Sequence, residues 1–231
     1  MCTDLANYPI LDSYTVLSAA SMTTEFPIRI SHGQHGCAWN STSAAMFTGT
    51  ENNTDVGAAL EELTEFESAI CSYGINKMLR ENPTEITLTP GSYFGDGINF
   101  HRTVITLDGT GYENAQFCIQ SSEGINFTNV RSIHLIGNAT QGNVFWVADT
   151  NIKFTGRSPP YVPGVFIASS VTFENAVDVD GRIYARCNNV SFGRQSHRND
   201  EAGVMVNGCL VPNVDGVALP PLKRPHARCF Q

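Results

Sequence analysis

Three hexapeptides constrain this chain more than any other feature. Asn151-Ile-Lys-Phe-Thr-Gly156, Ser170-Val-Thr-Phe-Glu-Asn175 and Asn189-Val-Ser-Phe-Gly-Arg194 each have an apolar residue second and Phe fourth, and their starts lie 19 residues apart both times. Gly124-Ile-Asn-Phe-Thr-Asn129 has the same form 27 residues upstream. A second set of apolar stretches precedes these: 117–120, 143–148, 164–168, 182–185 and 203–206. A third set is sparser, at 132–136 and 176–180. Similarity at a fixed short period makes each repeat one layer of a stack, because a single repeat cannot bury its own apolar face. Three short strands per turn predict a mostly β chain folded as a β-solenoid of triangular section, with side chains alternating inward and outward.

The three faces differ. In Val144-Phe-Trp-Val147 and Val165-Phe-Ile-Ala168, residues on both sides of the strand are apolar, so this face is covered on both sides. The cover is predicted to be a helix over 55–73. Val56, Ala59, Leu60, Leu63, Phe66, Ala69, Ile70 and Tyr73 recur at three- and four-residue steps, with Glu61, Glu62 and Glu65 opposite. Asp55 suits the N-cap and Gly74 the C-cap, and the helix is expected to run on to Arg80. Leu60, Leu63, Phe66 and Ile70 should face the solenoid. The other two faces alternate apolar and polar and should be solvated. The stretch from Gly33 to Thr54 carries loop signals only, and His32 and His35 belong to it. The chain reads as one domain: N-terminal strands and loops over 1–55, helix over 55–80, coils over 86–210 and a tail over 211–231.

Composition enters as a set of exclusions. With 14 basic and 22 acidic residues in 231, the net charge is −8, and no stretch concentrates Lys or Arg. Nucleic acid and anionic membrane are therefore excluded as partners. No apolar run is long enough to span a bilayer. The opening Met1-Cys-Thr-Asp-Leu5 is not a signal peptide as written. Seven cysteines, at 2, 37, 71, 118, 187, 209 and 229, form no CxxC and no zinc spacing, so no metal or other cofactor is expected. Cys118 reads as a small buried hydrophobe in a strand, whereas Cys2, Cys37, Cys209 and Cys229 lie where they can bridge. Five Asn-X-Ser/Thr sequons start at Asn40, Asn52, Asn126, Asn138 and Asn189. They hint at a secreted glycoprotein.

The repeats also carry a signature. Leu88-Thr-Pro-Gly-Ser-Tyr93, Thr106-Leu-Asp-Gly-Thr-Gly111 with Asn114-Ala-Gln-Phe-Cys-Ile-Gln120, Gly142-Asn-Val-Phe-Trp-Val147 and Gly181-Arg-Ile-Tyr-Ala-Arg186 occur in that order. They resemble the motifs of the ice-binding-like family, named from bacterial, fungal and algal antifreeze proteins, and Ala59-Leu-Glu-Glu-Leu-Thr64 is similar to that family's helix. The resemblance covers about residues 10–210, most strongly 86–193. Ser31-His-Gly-Gln-His-Gly-Cys-Ala38 does not match the family's usual glycine- and proline-rich loop, and the tail has no counterpart. The resemblance implies a discontinuous β-solenoid, a secreted or cell-surface location, no enzymatic activity, a monomer, and the ice lattice as partner.

Fold does not settle function, so the surface must carry the argument. An ice-adsorbing face needs a flat, rigid array of hydroxyls and methyls, and strands ~4.8 Å apart come close to the oxygen spacing of ice. The best candidate is the 19-residue ladder. Its outward residues are Asn126, Thr128, Asn151, Lys153, Thr155, Ser170, Thr172, Asn189 and Ser191. Lys153 and Glu174 work against such an array, because charged groups hold their own hydration shells. Two rival readings remain. A carbohydrate-active solenoid needs paired carboxylates or a calcium cluster with a base. Asp178 and Asp180, about 6–7 Å apart at strand rise, carry no catalytic motif around them, so no catalytic residue is assigned. The other rival is a structural or adhesive module that binds glycan or protein; nothing in the sequence excludes it, and rows of outward aromatics, which the ladder lacks, would favour glycan.

Overall fold

In a computed structural model of the chain, which describes residues 7–24, 28–38, 47–70, 75–79, 83–156, 161–175, 177–193 and 204–207, the repeats stack as parallel strands. The hexapeptides form one sheet. It runs from Ile98–His101 through Ile125–Thr128, Asn151–Thr155, Ser170–Phe173 and Val190–Phe192 to Met22–Thr24. Register is one residue to one residue, so like side chains share a row. Phe100, Phe127, Phe154, Phe173 and Phe192 stack inward, with ring centroids 5.4, 4.2, 4.9 and 5.3 Å apart. Trp146 and Phe166 meet this column edge-on, Trp146 at 5.1 Å from Phe127 and Phe166 at 5.7 Å from Phe154. The Trp146 indole N–H donates to the Pro163 carbonyl at 3.1 Å, so the largest core side chain leaves no donor unmet.

The second sheet is buried on both sides, as its sequence requires. Phe117–Ser121, Val144–Ala148, Tyr161–Ala168 and Asp178–Ala185 pair side by side in it. Two of these strands are long because they round a corner onto the third face. Gly181 permits the turn: a Cβ there would lie 1.7 Å from the Gly164 carbonyl oxygen, and Gly164 itself has φ +124°. The third sheet is small and consists of Glu85–Leu88, Val104–Asp108 and Ser132–Ile136.

The helix Val56–Ile70 lies along the second sheet. Val56, Ala59, Leu63, Phe66 and Ile70 are buried against Cys118, Phe145, Val147, Val165, Ile167 and Tyr184, with Leu60 at the margin. Two guanidinium groups, Arg182 buried and Arg186 partly buried, fix what packs there. Arg186 Nη1 forms an ion pair with both carboxylate oxygens of Glu67 on the helix, at 2.8 and 2.9 Å, and Nη2 donates to the Ala148 carbonyl. Arg182 donates to the carbonyls of Asp12 and Tyr14, at 2.7 and 3.2 Å, and to the Asp12 carboxylate at 2.8 Å. Both arginines belong to the motif at 181–186.

The N-terminal third departs from expectation. Tyr14–Ser18 pairs with Asp178–Ala185, and Met22–Thr24 pairs with Val190–Phe192, so the first segment of the chain closes the last coil. A short helix, Pro9–Ser13, precedes it. The stretch read as loop holds two strands, Ile28–Cys37 and Phe47–Glu51. His32 and His35 are therefore strand residues. The expected continuation of the long helix to Arg80 is not formed: Ile75–Met78 is a strand paired with Gly91–Gly95. Four-residue apolar runs suit either state, and pairing with a neighbouring strand decides between them. Cys118 is buried as expected, but it is disulfide-bonded, as is Cys187. Cys2, Cys209, Cys229, Asn40 and the tail after 207 lie outside the described residues.

His35 is 2 % exposed, stacks on Phe47 at 5.4 Å, and leaves Nδ1 without a hydrogen bond. Burial lowers its pKa below the ordinary 6.5, with Glu51 opposing the shift. Below pH 6.5 the unfolded chain then takes up a proton that the folded chain refuses, so stability falls as pH drops. Thermal unfolding between pH 7.5 and 5.5 should show the midpoint declining on the acid side. In His35→Phe the decline over that range should be shallower; an unchanged slope would clear His35 of the effect.

Candidate functional site

The helix covers the second sheet, and of the other two the longer, with six strands against three, is the one built on the hexapeptides. Alternation puts Ile and Phe beneath it and polar residues above. The outward residues form three rows. The central row is Asn99, Asn126, Lys153, Thr172, Ser191 and Thr23. A second begins at His101 and continues through Thr128 to Thr155, with Glu174 in the next coil bonded through its N–H to the Phe154 carbonyl. The third contains Asn151 and Ser170, and is prolonged by Asn189, whose amide oxygen accepts from Ser21 Oγ at 3.2 Å.

All nine ladder residues read from the sequence lie on this one sheet or at its rim. Hydroxyls bond from coil to coil: Thr155 Oγ1 donates to Thr128 Oγ1 at 3.2 Å, and Ser191 Oγ donates to Thr172 Oγ1 at 3.0 Å. Such bonds hold each hydroxyl in one rotamer and leave its remaining lone pairs facing out. Below, the Phe stack allows little rearrangement, since close-packed interiors resist deformation. Among the described residues an ion pair interrupts the array. Lys153 Nζ lies 2.6 Å from Glu174 Oε1, with the two side chains 42 % and 44 % exposed. The pair cancels its charge but keeps its water, and an exposed pair of this kind adds only about 0–1 kcal/mol of stability.

Four outward residues escape the sequence reading. Asn99 and His101 sit on Gly97-Ile-Asn-Phe-His101, which has the form of Gly124-Ile-Asn-Phe-Thr128, and so was within reach of the repeat. Thr23 and Ser21 were not, because they join the ladder from before the helix.

The rival sites look different. Asp178 and Asp180 lie on the long strand of the corner, half-buried, and Asp180 accepts from the Tyr161 hydroxyl at 2.9 Å. Among the described residues, no group of three His, Cys, Asp or Glu is placed to hold a metal ion.

Comparison with known proteins gives the following. The family model described as ice-binding-like matches residues 4–196. No curated protein matches the sequence. Among solved structures, the fold superposes on an ice-binding protein from an Antarctic biological consortium with a TM-score of 0.70, at 22 % identity over 87 % of this chain and 88 % of that one. An ice-binding protein from the Antarctic ascomycete Antarctomyces psychrotrophicus gives 0.68, at 18 % identity over 92 % and 100 %. A glycosylated ice-binding protein from an Arctic yeast gives 0.68, at 17 % identity over 91 % and 96 %.

Proposed function

The chain belongs to the ice-binding-like family, and from that premise we propose that it adsorbs to ice through the hexapeptide sheet and slows crystal growth or recrystallisation. One observation carries the reading: the hydroxyl pairs Thr128–Thr155 and Thr172–Ser191 bond in register on an uncovered sheet backed by a Phe stack. Strands ~4.8 Å apart set the pitch of these hydroxyls, and their rigidity lets water order on them at little entropic cost. The action is adsorption, with no chemical step and no cofactor, by a single copy of the chain. It takes place outside the cell, a location supported by the disulfides of Cys118 and Cys187, since such bonds persist in oxidising compartments.

The test is ice recrystallisation inhibition with thermal hysteresis on the purified protein, beside serum albumin at equal concentration. Inhibition at micromolar protein is expected. A folded protein no better than albumin would leave a solenoid scaffold, and screening for glycan or protein partners would replace the ice reading.

The ion pair makes a second prediction. Lys153→Thr with Glu174→Thr removes the two strongly hydrated groups and lets the Thr rows run unbroken. The concentration needed to arrest recrystallisation should fall several-fold in the double variant, with the fold unchanged by circular dichroism. A rise would show that the charged pair itself touches ice.

A further inference from the structure

Four of the five sequons fall on described residues, and in each of them the fold uses a polar atom. Thr128 and Ser191 bond along the ladder. Asn52 accepts from Thr54 N–H at 3.0 Å and donates to Asp55 at 3.2 Å. The sequon Asn138-Ala139-Thr140 uses its asparagine amide, which donates to the Tyr112 carbonyl, but differs at its hydroxyl. Thr140 Oγ1 is buried with no hydrogen-bond partner. An unmet buried hydroxyl is unfavourable, and Val has nearly the same shape without it. Packing therefore gives no reason for Thr at 140.

The surface around Asn138 supplies an independent observation. Among the described residues, the large exposed hydrophobics are Tyr112 (47 %), Ile136 (43 %) and Tyr161 (38 %). Two of them flank Asn138. Ile136 is two residues before it, and the Tyr112 carbonyl accepts from Asn138 Nδ2 at 2.7 Å. The bond from Gly109 N–H to the Ile136 carbonyl, at 3.0 Å, draws the two turns together. Exposed apolar surface of this kind calls for a cover.

We infer that Asn138 carries an N-linked glycan whose first sugars lie over Tyr112 and Ile136. In the transfer, Nδ2 bonds to C1 of the first sugar of a lipid-pyrophosphate-linked oligosaccharide. The bond from C1 to the pyrophosphate oxygen breaks, the lipid pyrophosphate leaves, and the amide gives up one proton. The second amide hydrogen stays and keeps the bond to the Tyr112 carbonyl. The Thr140 hydroxyl is read by the transferase on the unfolded chain, and the fold afterwards has no use for it. Asn138 lies in the turn between the third sheet and the helix-covered sheet, the corner opposite the ladder, so a glycan there leaves the ladder clear.

The experiment secretes the full chain from yeast behind a heterologous leader and maps glycopeptides by mass spectrometry. Asn138 should be occupied, Asn138→Gln and Thr140→Val should each lose the modification completely, and Thr140→Ser should restore it. Thr140→Val made without glycan in bacteria should melt at or above the unglycosylated parent. An unmodified Asn138 in the secreted, folded protein would overturn the inference. So would a Thr140→Val protein that melts well below its parent, because Thr140 would then have a folding role.

Discussion

Thr155→Tyr combined with Thr172→Tyr should remove ice activity altogether while leaving the fold intact. The two hydroxyls belong to different bonded pairs, one on each side of the Lys153–Glu174 interruption, so the double change strikes both halves of the array. A tyrosine ring stands several ångströms above the level of Thr, so it holds the sheet off a flat crystal plane. Tyr is also well suited to strands, so stability should change little at these outward positions. Recrystallisation inhibition reads the effect, and circular dichroism with thermal melting reads the control. Full activity in a folded variant would place adsorption on another face, and the third sheet would be the next to mutate.

Phe66→Ala should lower stability by about 3–5 kcal/mol, the usual cost of removing a buried aromatic ring. Phe66 is 2 % exposed and meets Tyr8 and Phe145 edge-on, with centroids 5.6 and 6.0 Å away. It thus joins the N-terminal segment, the helix and the covered sheet. Its neighbour Glu67 cannot take over, since the pair with Arg186 needs the helix already seated. Urea unfolding gives the number directly. A cost below about 1 kcal/mol, far under what such a cavity entails, would mean that the helix is held by its ion pair and not by its apolar stripe.

The contrast between these two sites shows what was legible in the sequence. The ladder repeats one pattern at steps of 27 and then 19 residues, so its rows follow from aligning the repeats, and the structure adds only which hydroxyls bond. The helix is equally plain, because its apolar steps and the two-sided strands beneath it demand one another. The N-terminal third is opaque for a physical reason. Met22–Thr24 extends the ladder, and Tyr14–Ser18 extends the covered sheet, yet neither repeats a motif of its neighbour in the stack. The coil strands they join, Asp178–Ala185 and Val190–Phe192, come after the helix and nearly all the coils, and no local period spans such a gap. His35 was misplaced on the same account: Gly33 and Gly36 beside it signal a loop, whereas strands on both sides draw the segment into a sheet. The ion pair on the ladder was half legible. Lys153 and Glu174 were each recognisable as unfavourable to an ice face, but not that they neutralise one another across a coil.

The closure of the last coil by the first segment has a consequence for synthesis. Asp12 and Tyr14 leave the ribosome before the rest of the solenoid, and Arg182, which holds both, follows some 170 and 168 residues later. Coils in the middle of the chain can stack as they emerge, whereas Tyr14–Ser18, which has Ile28–Cys37 for one neighbour soon after synthesis, must keep its other edge bare until Asp178–Ala185 arrives. Contacts so distant in sequence make the closing step slow. The part of the protein made first is therefore the part placed last, and the interval between the two is when the nascent chain most needs protection from its neighbours.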